Sequence, residues 1–122
     1  MILADTSVWI DHFRKTDPEL QRRLNNDEIA MHPFVVGELA LGPIPQREKI
    51  LAYMDHLPHV RTAQQDEVRH MIESRSLHNR GIGLIDAHLI ASALINPGTQ
   101  LWSRDASLRR IAKRLGILAD LP

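Results

Sequence analysis

The chain of 122 residues contains no cysteine. Disulfide bridges, zinc sites built from thiolates and cysteine nucleophiles are therefore excluded. No apolar run approaches the roughly 18 residues that a membrane-spanning helix needs, and the first acidic residue comes too early for a signal peptide. These absences favour a soluble protein with no membrane partner, and we expect it in the cytoplasm.

An excess of charge of either sign is also missing. Lys+Arg and Asp+Glu number 15 each, so polyanion binding would have to come from local groups of basic residues. Hydrophobic residues make up 43% of the chain, which argues against disorder. Because no repeat, linker or low-complexity tract divides the sequence, residues 1–122 are expected to form a single domain.

Short apolar runs alternate with longer segments of helical periodicity. The predicted strands cover residues 2–4, 28–31, 59–62, 100–102 and, at one edge, 117–121. Ser7 is the predicted N-cap of the first helix, and Asp17, followed by Pro18, that of the second. This alternation predicts an α/β fold, a three-layer α/β/α sandwich around a central, mostly parallel sheet.

Four acidic residues stand where such a fold would bring them together: Asp5, Glu38, Asp86 and Asp105. Asp5 directly follows the first strand, and Asp105 comes shortly after the fourth. Glu38 lies in the helix after the second strand, and Asp86 in the first turn of a helix. Strand ends and helix starts share one edge of a parallel sheet, where open α/β folds build ligand sites.

Carboxylates this close repel one another unless a cation compensates their charge. Oxygen ligands without sulfur suit Mg²⁺ or Mn²⁺ better than zinc or copper. Such an ion can lower the pKa of a bound water and stabilise a leaving oxygen. Hydrolysis of a phosphodiester is the reaction that fits this set of residues.

Each acid also has a purely structural explanation. An acidic residue near a helix start usually serves as a cap or interacts with the helix dipole, which would account for Asp86 and Asp105. Glu38 has only apolar neighbours in its helix, so its charge should require a partner or a metal ion. Asp5 is similarly costly after a buried strand. The four acids together therefore favour a site.

The same segments resemble those of PIN-domain proteins of the VapC type, the toxin halves of VapBC toxin–antitoxin pairs. The matching segments are MILADTSVWID at 1–11, VGEL at 36–39, GLIDAHLIA at 83–91 and LWSRD at 101–105. They follow the family's order over essentially the whole chain. One departure is Ser103, where the family often has Thr, and both residues offer a hydroxyl.

This resemblance implies a PIN-like α/β/α fold, endoribonuclease activity that depends on Mg²⁺ or Mn²⁺, a homodimer, and neutralisation by a cognate antitoxin. The metal-site residues that it implies are Asp5, Glu38, Asp86 and Asp105. Asp5 and Asp86 are the best candidates for direct ligation. Thr6 and Ser103 would add to the catalytic set by positioning water or a carboxylate through their hydroxyls.

Two other functions fit parts of the pattern. An Asp-dependent phosphatase also places Asp after its first strand, but it generally needs a second Asp on the same loop or a nearby Lys. Here Asp5 is followed by Thr6, Ser7 and Val8 instead. A PIN-like module that binds RNA or a partner without cutting would not need all four acids, so their joint presence argues against it.

The remaining polar and apolar residues support weaker expectations. Arg14 and Arg104 are favoured as phosphate contacts because they lie near the acids in sequence. The seven histidines lack a metalloenzyme spacing and are expected at the surface or in packing. Apolar residues of the first helices, Leu41 among them, are expected mostly in the core, with some available for an antitoxin or dimer contact.

Overall fold

The computed structural model describes all 122 residues and has three parallel strands at its centre. The strands are β1 (Ile2–Ala4), β2 (Ile29–Ala30) and β3 (Gln100–Trp102), in the order β2-β1-β3. The helices are α1 (Thr6–Arg14), α2 (Pro18–Asn25), α3 (Pro33–Ala40), α4 (Arg47–His56), α5 (Gln65–Ser74), α6 (Leu84–Ile95) and α7 (Ala106–Arg114). The predicted three-layer α/β/α sandwich is confirmed.

The central strand β1 is apolar throughout because it is covered on every side. Leu3 pairs with Ala30 on one neighbour and with Leu101 on the other, so both of its edges are hydrogen-bonded. Leu3 and Ala4 have no exposed surface. Strands buried on both faces lose the alternation of polar and apolar residues, which explains the continuous apolar run before Asp5.

Two predicted strands are reduced to single bridges. The segment 59–62 pairs with the sheet only through His59 and Met31, and 117–121 only through Leu118 and Leu101. In the first case, the amide and carbonyl of Arg61 are both taken by the side chain of Asn96, at 3.1 and 2.7 Å. These backbone groups are then satisfied without a further strand partner.

The N-cap predicted at Ser7 was wrong by two residues. Asp5 caps α1, and its side chain accepts hydrogen bonds from the amides of Ser7 and Val8. The cap of α2 was predicted correctly, since Asp17 accepts from the amides of Glu19 and Leu20. A carboxylate that ends a strand and also caps the next helix has a fixed position relative to both elements.

None of the helices combines the length and the apolar character that crossing a lipid bilayer requires. Of the apolar residues considered for a partner contact, Leu41 is 90% exposed and forms no part of the core. The others are buried or packed against the core, namely Trp9, Phe13, Leu20, Leu24, Ile50 and Leu51. Core packing was therefore the correct prediction for most of them.

Candidate active site

Asp5 is held at the carboxyl edge of the sheet by the ends of two strands. Its amide donates to the carbonyl of Trp102, 2.9 Å away, so the last residues of β1 and β3 lie side by side. Only 4% of Asp5 is exposed. Burial raises the pKa of Asp5 above its usual value, while hydrogen bonds from Ser103 and Ser7 oppose that rise.

Two serine hydroxyls orient the Asp5 carboxylate, one on each oxygen. The Ser7 hydroxyl donates to Oδ1 and the Ser103 hydroxyl to Oδ2, both at 2.5 Å. Each hydroxyl in turn accepts a backbone N–H, from Arg104 for Ser7 and from Asp105 for Ser103, at 2.9 and 3.0 Å. The two consecutive amides that follow β3 thus orient both hydroxyls toward the Asp5 carboxylate.

Ser103 was expected to position water or a carboxylate, and its hydroxyl donates to the Asp5 carboxylate. Ser7 was not predicted as a site residue, because capping alone accounts for a serine at the start of a helix. The sequence alone held no signal for its second role, since the contact to Arg104 spans 97 positions of chain.

Asp105 caps α7, as a purely structural explanation would have it, and accepts from the amide of Leu108 at 2.8 Å. The start of α7 also meets the turn that precedes α6. Gly81 has a φ of +81°, and a Cβ added there would lie 3.0 Å from the Ser107 hydroxyl. This close approach, which favours glycine, brings the first turns of α6 and α7 together, and with them Asp86 and Asp105.

The pKa of Asp86 shows the effect of the negative charges gathered around it. Burial, followed by the charges of Asp105, Asp5 and Glu38, raises its pKa to about 6, against a partial opposing effect of a hydrogen bond from the Gly83 backbone. Since all three other acids act on Asp86, the four predicted carboxylates do converge in space.

A cavity of about 480 Å³, here called the carboxylate cavity, is lined by all four acids together with Thr6 and Ser7. Glu38 is exposed and forms no salt bridge, so its charge needs neither a partner nor a metal ion, contrary to the expectation from its apolar neighbours. The apolar neighbours of Glu38 face the core instead, with Val35 and Leu39 buried. Glu38 therefore reaches the cavity from the solvent side.

The donor set of this cavity suits a hard divalent cation, because it consists of carboxylate and hydroxyl oxygens. Their mutual repulsion, recorded at Asp86, is what such a cation would relieve. The side chains do not form a ready-made site, as no group of three Asp, Glu or His residues is drawn together closely enough to hold a metal ion. The residues fit a cation in their chemical type and charge, and their side chains would have to move closer together to coordinate it.

Arg104 was expected to contact phosphate beside the acids, but its side chain is paired elsewhere. Its guanidinium donates to Asp11 at 2.8 Å and to Asp17 at 2.5 Å, and it lies 5.6 Å from the centre of the Trp102 ring. These contacts tie the end of β3 to α1 and α2. Three basic residues of α7 line a separate cavity, namely Arg109, Arg110 and Lys113.

The model of the family described as PIN domain matches residues 2–114. The chain belongs to the PIN-domain family. It is also similar to two curated proteins, each called Ribonuclease VapC32, from the CDC 1551 and H37Rv strains of Mycobacterium tuberculosis. Both are 41% identical over 117 residues, which cover 96% of this chain and 94% of theirs.

The resemblance to the VapC type is thereby confirmed. The four motifs that carried it all lie within the matched part of the chain, at residues 1–11, 36–39, 83–91 and 101–105. In the PIN domain, these segments supply the strand ends and helix turns that surround the carboxylate cavity.

Proposed function

We propose that this PIN domain is the toxin of a type II toxin–antitoxin system, an endoribonuclease that hydrolyses RNA phosphodiester bonds with the help of Mg²⁺ or Mn²⁺. The observation that carries the proposal is the convergence of Asp5, Glu38, Asp86 and Asp105 on one cavity. The similarity to proteins called Ribonuclease VapC32 supports RNA as the substrate. No Lys or Arg lines the cavity, so a phosphatase would lack its cationic partner.

Asp5 and Asp86 are assigned as the principal metal ligands, with Glu38 and Asp105 completing the acidic set. A divalent cation bound there would supply a water of lowered pKa and offset charge on the phosphate. Asp5 is suited to direct ligation because its carboxylate is fixed by both serine hydroxyls. Thr6 lines the cavity beside Asp5, where its hydroxyl can orient a water or an RNA oxygen.

The biological setting follows from the same family. We propose that residues 1–122 act as a single domain in the cytoplasm, that two copies form a homodimer, and that a cognate antitoxin neutralises the activity. Exposed apolar side chains are available for such protein contacts, with Leu41 at 90% and Leu84 at 61% exposure.

Cleavage by antitoxin-free protein is expected to require a divalent cation. RNA should be cut with Mg²⁺ or Mn²⁺, remain intact with a chelator, and be cut again when excess ion is restored, because the four carboxylates repel one another without a cation. The measurement is gel analysis of transfer, ribosomal and messenger RNA after timed incubation. Undiminished cleavage after exhaustive chelation would contradict metal dependence, and no cleavage with either ion would favour a binding module.

Ser7→Ala is expected to weaken the apparent affinity for Mn²⁺ by about 10- to 100-fold, the usual effect of removing a group that orients a metal ligand. The Asp5 carboxylate would lose the hydroxyl donor on its Oδ1 but keep the backbone amides of residues 7 and 8 as donors to the same oxygen. Cleavage rate is measured against Mn²⁺ concentration. Ser74→Ala is the matched control, since that hydroxyl reaches only the Met71 carbonyl. An unchanged Mn²⁺ requirement in Ser7→Ala would remove Ser7 from the site.

A further inference from the structure

A second cavity opens beside the carboxylate cavity. It has a volume of about 650 Å³, within the range of pockets that bind small ligands, and we call it the apolar cavity. Its apolar walls are formed by Ile10, Phe13, Leu39 and Ile44. Two helices, α1 and α3, and the loop that follows α3 contribute to it, so it is a feature of the folded chain and not of one element.

The two cavities are contiguous. Thr6, Ile10 and Glu38 belong to the walls of both. A phosphate held at the carboxylates would therefore have the apolar cavity as its immediate neighbour on the α1–α3 side. The base of the nucleotide that carries this phosphate would then lie close enough to enter the apolar cavity.

The charge at the apolar cavity is also suited to a nucleotide. Arg14 lines it, is exposed, and forms no salt bridge, unlike Arg104. Its guanidinium is free to contact a phosphate or to stack on a base. An aromatic residue, Phe13, stands one position before it in the same cavity wall. Apolar and aromatic walls with one arginine are how proteins bind unpaired bases.

We propose that the apolar cavity binds an unpaired nucleobase of the RNA substrate, adjacent to the bond that is cut. The inference rests on the proposed ribonuclease function and adds to it a base-binding subsite. Specificity then comes from the base that fits between α1 and α3, while the carboxylates act on the backbone. Arg14 contacts the nucleotide from the solvent side.

Gly42 offers a way to fill the cavity without disturbing the backbone. It lines the apolar cavity, and a Cβ added there would meet only the Leu39 carbonyl, at 3.7 Å, which is ordinary van der Waals contact. Gly42→Leu therefore adds an apolar side chain at the wall. Gly37→Leu is the matched control, because Gly37 lies in α3, outside both cavities, with nothing within 4 Å of an added Cβ.

The experiment combines this variant with removal of a base. An oligoribonucleotide pool with a randomised segment locates the preferred cleavage position, and the chosen RNA is then made with an abasic ribose at each position in turn. Wild-type protein should lose about tenfold in kcat/KM when the base next to the cut bond is missing. Gly42→Leu should lose a similar factor on intact RNA and nothing further on the abasic RNA, whereas Gly37→Leu should behave as wild type.

Such non-additivity is the signature of a base and a cavity that interact. Arg14→Gln, an exposed substitution that should leave the fold unaffected, is expected to reduce the abasic effect as well, with the adjacent exposed Lys15→Gln as control. The assignment is overturned if removal of a base has no effect at any position of the RNA. It is also overturned if the losses in kcat/KM caused by base removal and by Gly42→Leu multiply, in a variant whose thermal unfolding is unchanged.

Failure of the inference is distinguishable from failure of the ribonuclease proposal. If wild-type protein cuts nothing with either ion, the proposed function fails, and binding of the abasic series is measured instead, by fluorescence anisotropy in chelator. If removing the base at one position weakens binding to wild type, and Gly42→Leu abolishes that effect, the cavity remains a nucleobase site. Equal binding at every position would remove it.

Discussion

Asp5→Asn is expected to lower kcat/KM for RNA cleavage by more than about 10³-fold, the upper range for losing one electrostatic group at a reacting centre. Asn offers one neutral oxygen where the carboxylate has two charged ones. Both Asp5 oxygens are oriented by serine hydroxyls, so the native carboxylate enters the cavity already positioned. Without its charge, the remaining acids hold a cation less tightly.

The fold should survive this substitution. Asn is as good an N-cap as Asp, so its oxygen can still accept from the amides of Ser7 and Val8. Its NH₂ group can donate to the Ser103 hydroxyl oxygen. Burial disfavours the charged form of Asp5, as its raised pKa shows, and a neutral side chain avoids that cost. Thermal unfolding in chelator should therefore occur at or above the wild-type temperature.

Asp17→Asn is the matched control for this prediction. Asp17 also caps a helix through its carboxylate, but it pairs with Arg104 and lies outside the carboxylate cavity. Its loss should affect stability without abolishing cleavage. Cleavage by highly purified Asp5→Asn at the wild-type rate would overturn the role assigned to Asp5, and loss of native circular dichroism would show that the variant tests folding instead.

Asp86→Asn is expected to abolish cleavage and, at the same time, to stabilise the metal-free protein at pH 8. The pKa of Asp86 is raised to about 6 by burial and by the charges of Asp105, Asp5 and Glu38. Its ionised form is thus disfavoured in the folded chain. An amide of the same shape relieves the repulsion but gives up a charged ligand.

The direction of the pH dependence follows from the raised pKa. Between pH 4 and 6, the folded state keeps the Asp86 proton while the unfolded state has released it, so the free energy of unfolding falls as the pH rises through this window. The loss persists at higher pH. Because Asp86 is only half-buried, solvent screening reduces the effect to about 1 kcal/mol, or roughly 3–6 °C in the unfolding temperature.

Differential scanning calorimetry in chelator at pH 4 and pH 8 tests this dependence. Asp86→Asn should unfold at a higher temperature than wild type at pH 8 and at a similar one at pH 4. Asp66→Asn is the control, because Asp66 also lies in the first turn of a helix but outside the carboxylate cavity. Added Mn²⁺ should stabilise wild type more than Asp86→Asn. If the unfolding temperature changed equally between pH 4 and pH 8 in wild type, Asp86→Asn and Asp66→Asn, then Asp86 would not be the source of the repulsion.

Local sequence signals were sufficient where the physical cause is itself local. The apolar run before Asp5 predicted β1, and Asp17 with Pro18 predicted the start of α2, since caps and burial patterns depend on neighbouring residues. The same reasoning failed at residues 59–62. There the Asn96 side chain, 35 positions away, satisfies the backbone of Arg61, and no local pattern contains that partner.

Arg104 shows the same limit for charged side chains. Its place next to Asp105 suggested a phosphate contact, yet Asp11 and Asp17 lie close enough in the fold to bind it. Glu38 is the opposite case: its apolar neighbours suggested that its charge requires a partner or a metal ion, yet the side chain is exposed to solvent and requires neither. Proximity in sequence does not determine which way a long side chain turns.

The sequence by itself determined the residue types of the site: four acids at strand ends and helix starts, without a cysteine, in an α/β pattern of the PIN family. Only the tertiary structure decided how they act on one another. The raised pKa of Asp86, the pair of serine hydroxyls on Asp5 and the apolar cavity beside them all depend on distances between segments far apart in the chain. Electrostatic repulsion and hydrogen bonding act through space, and the folded chain alone sets those separations.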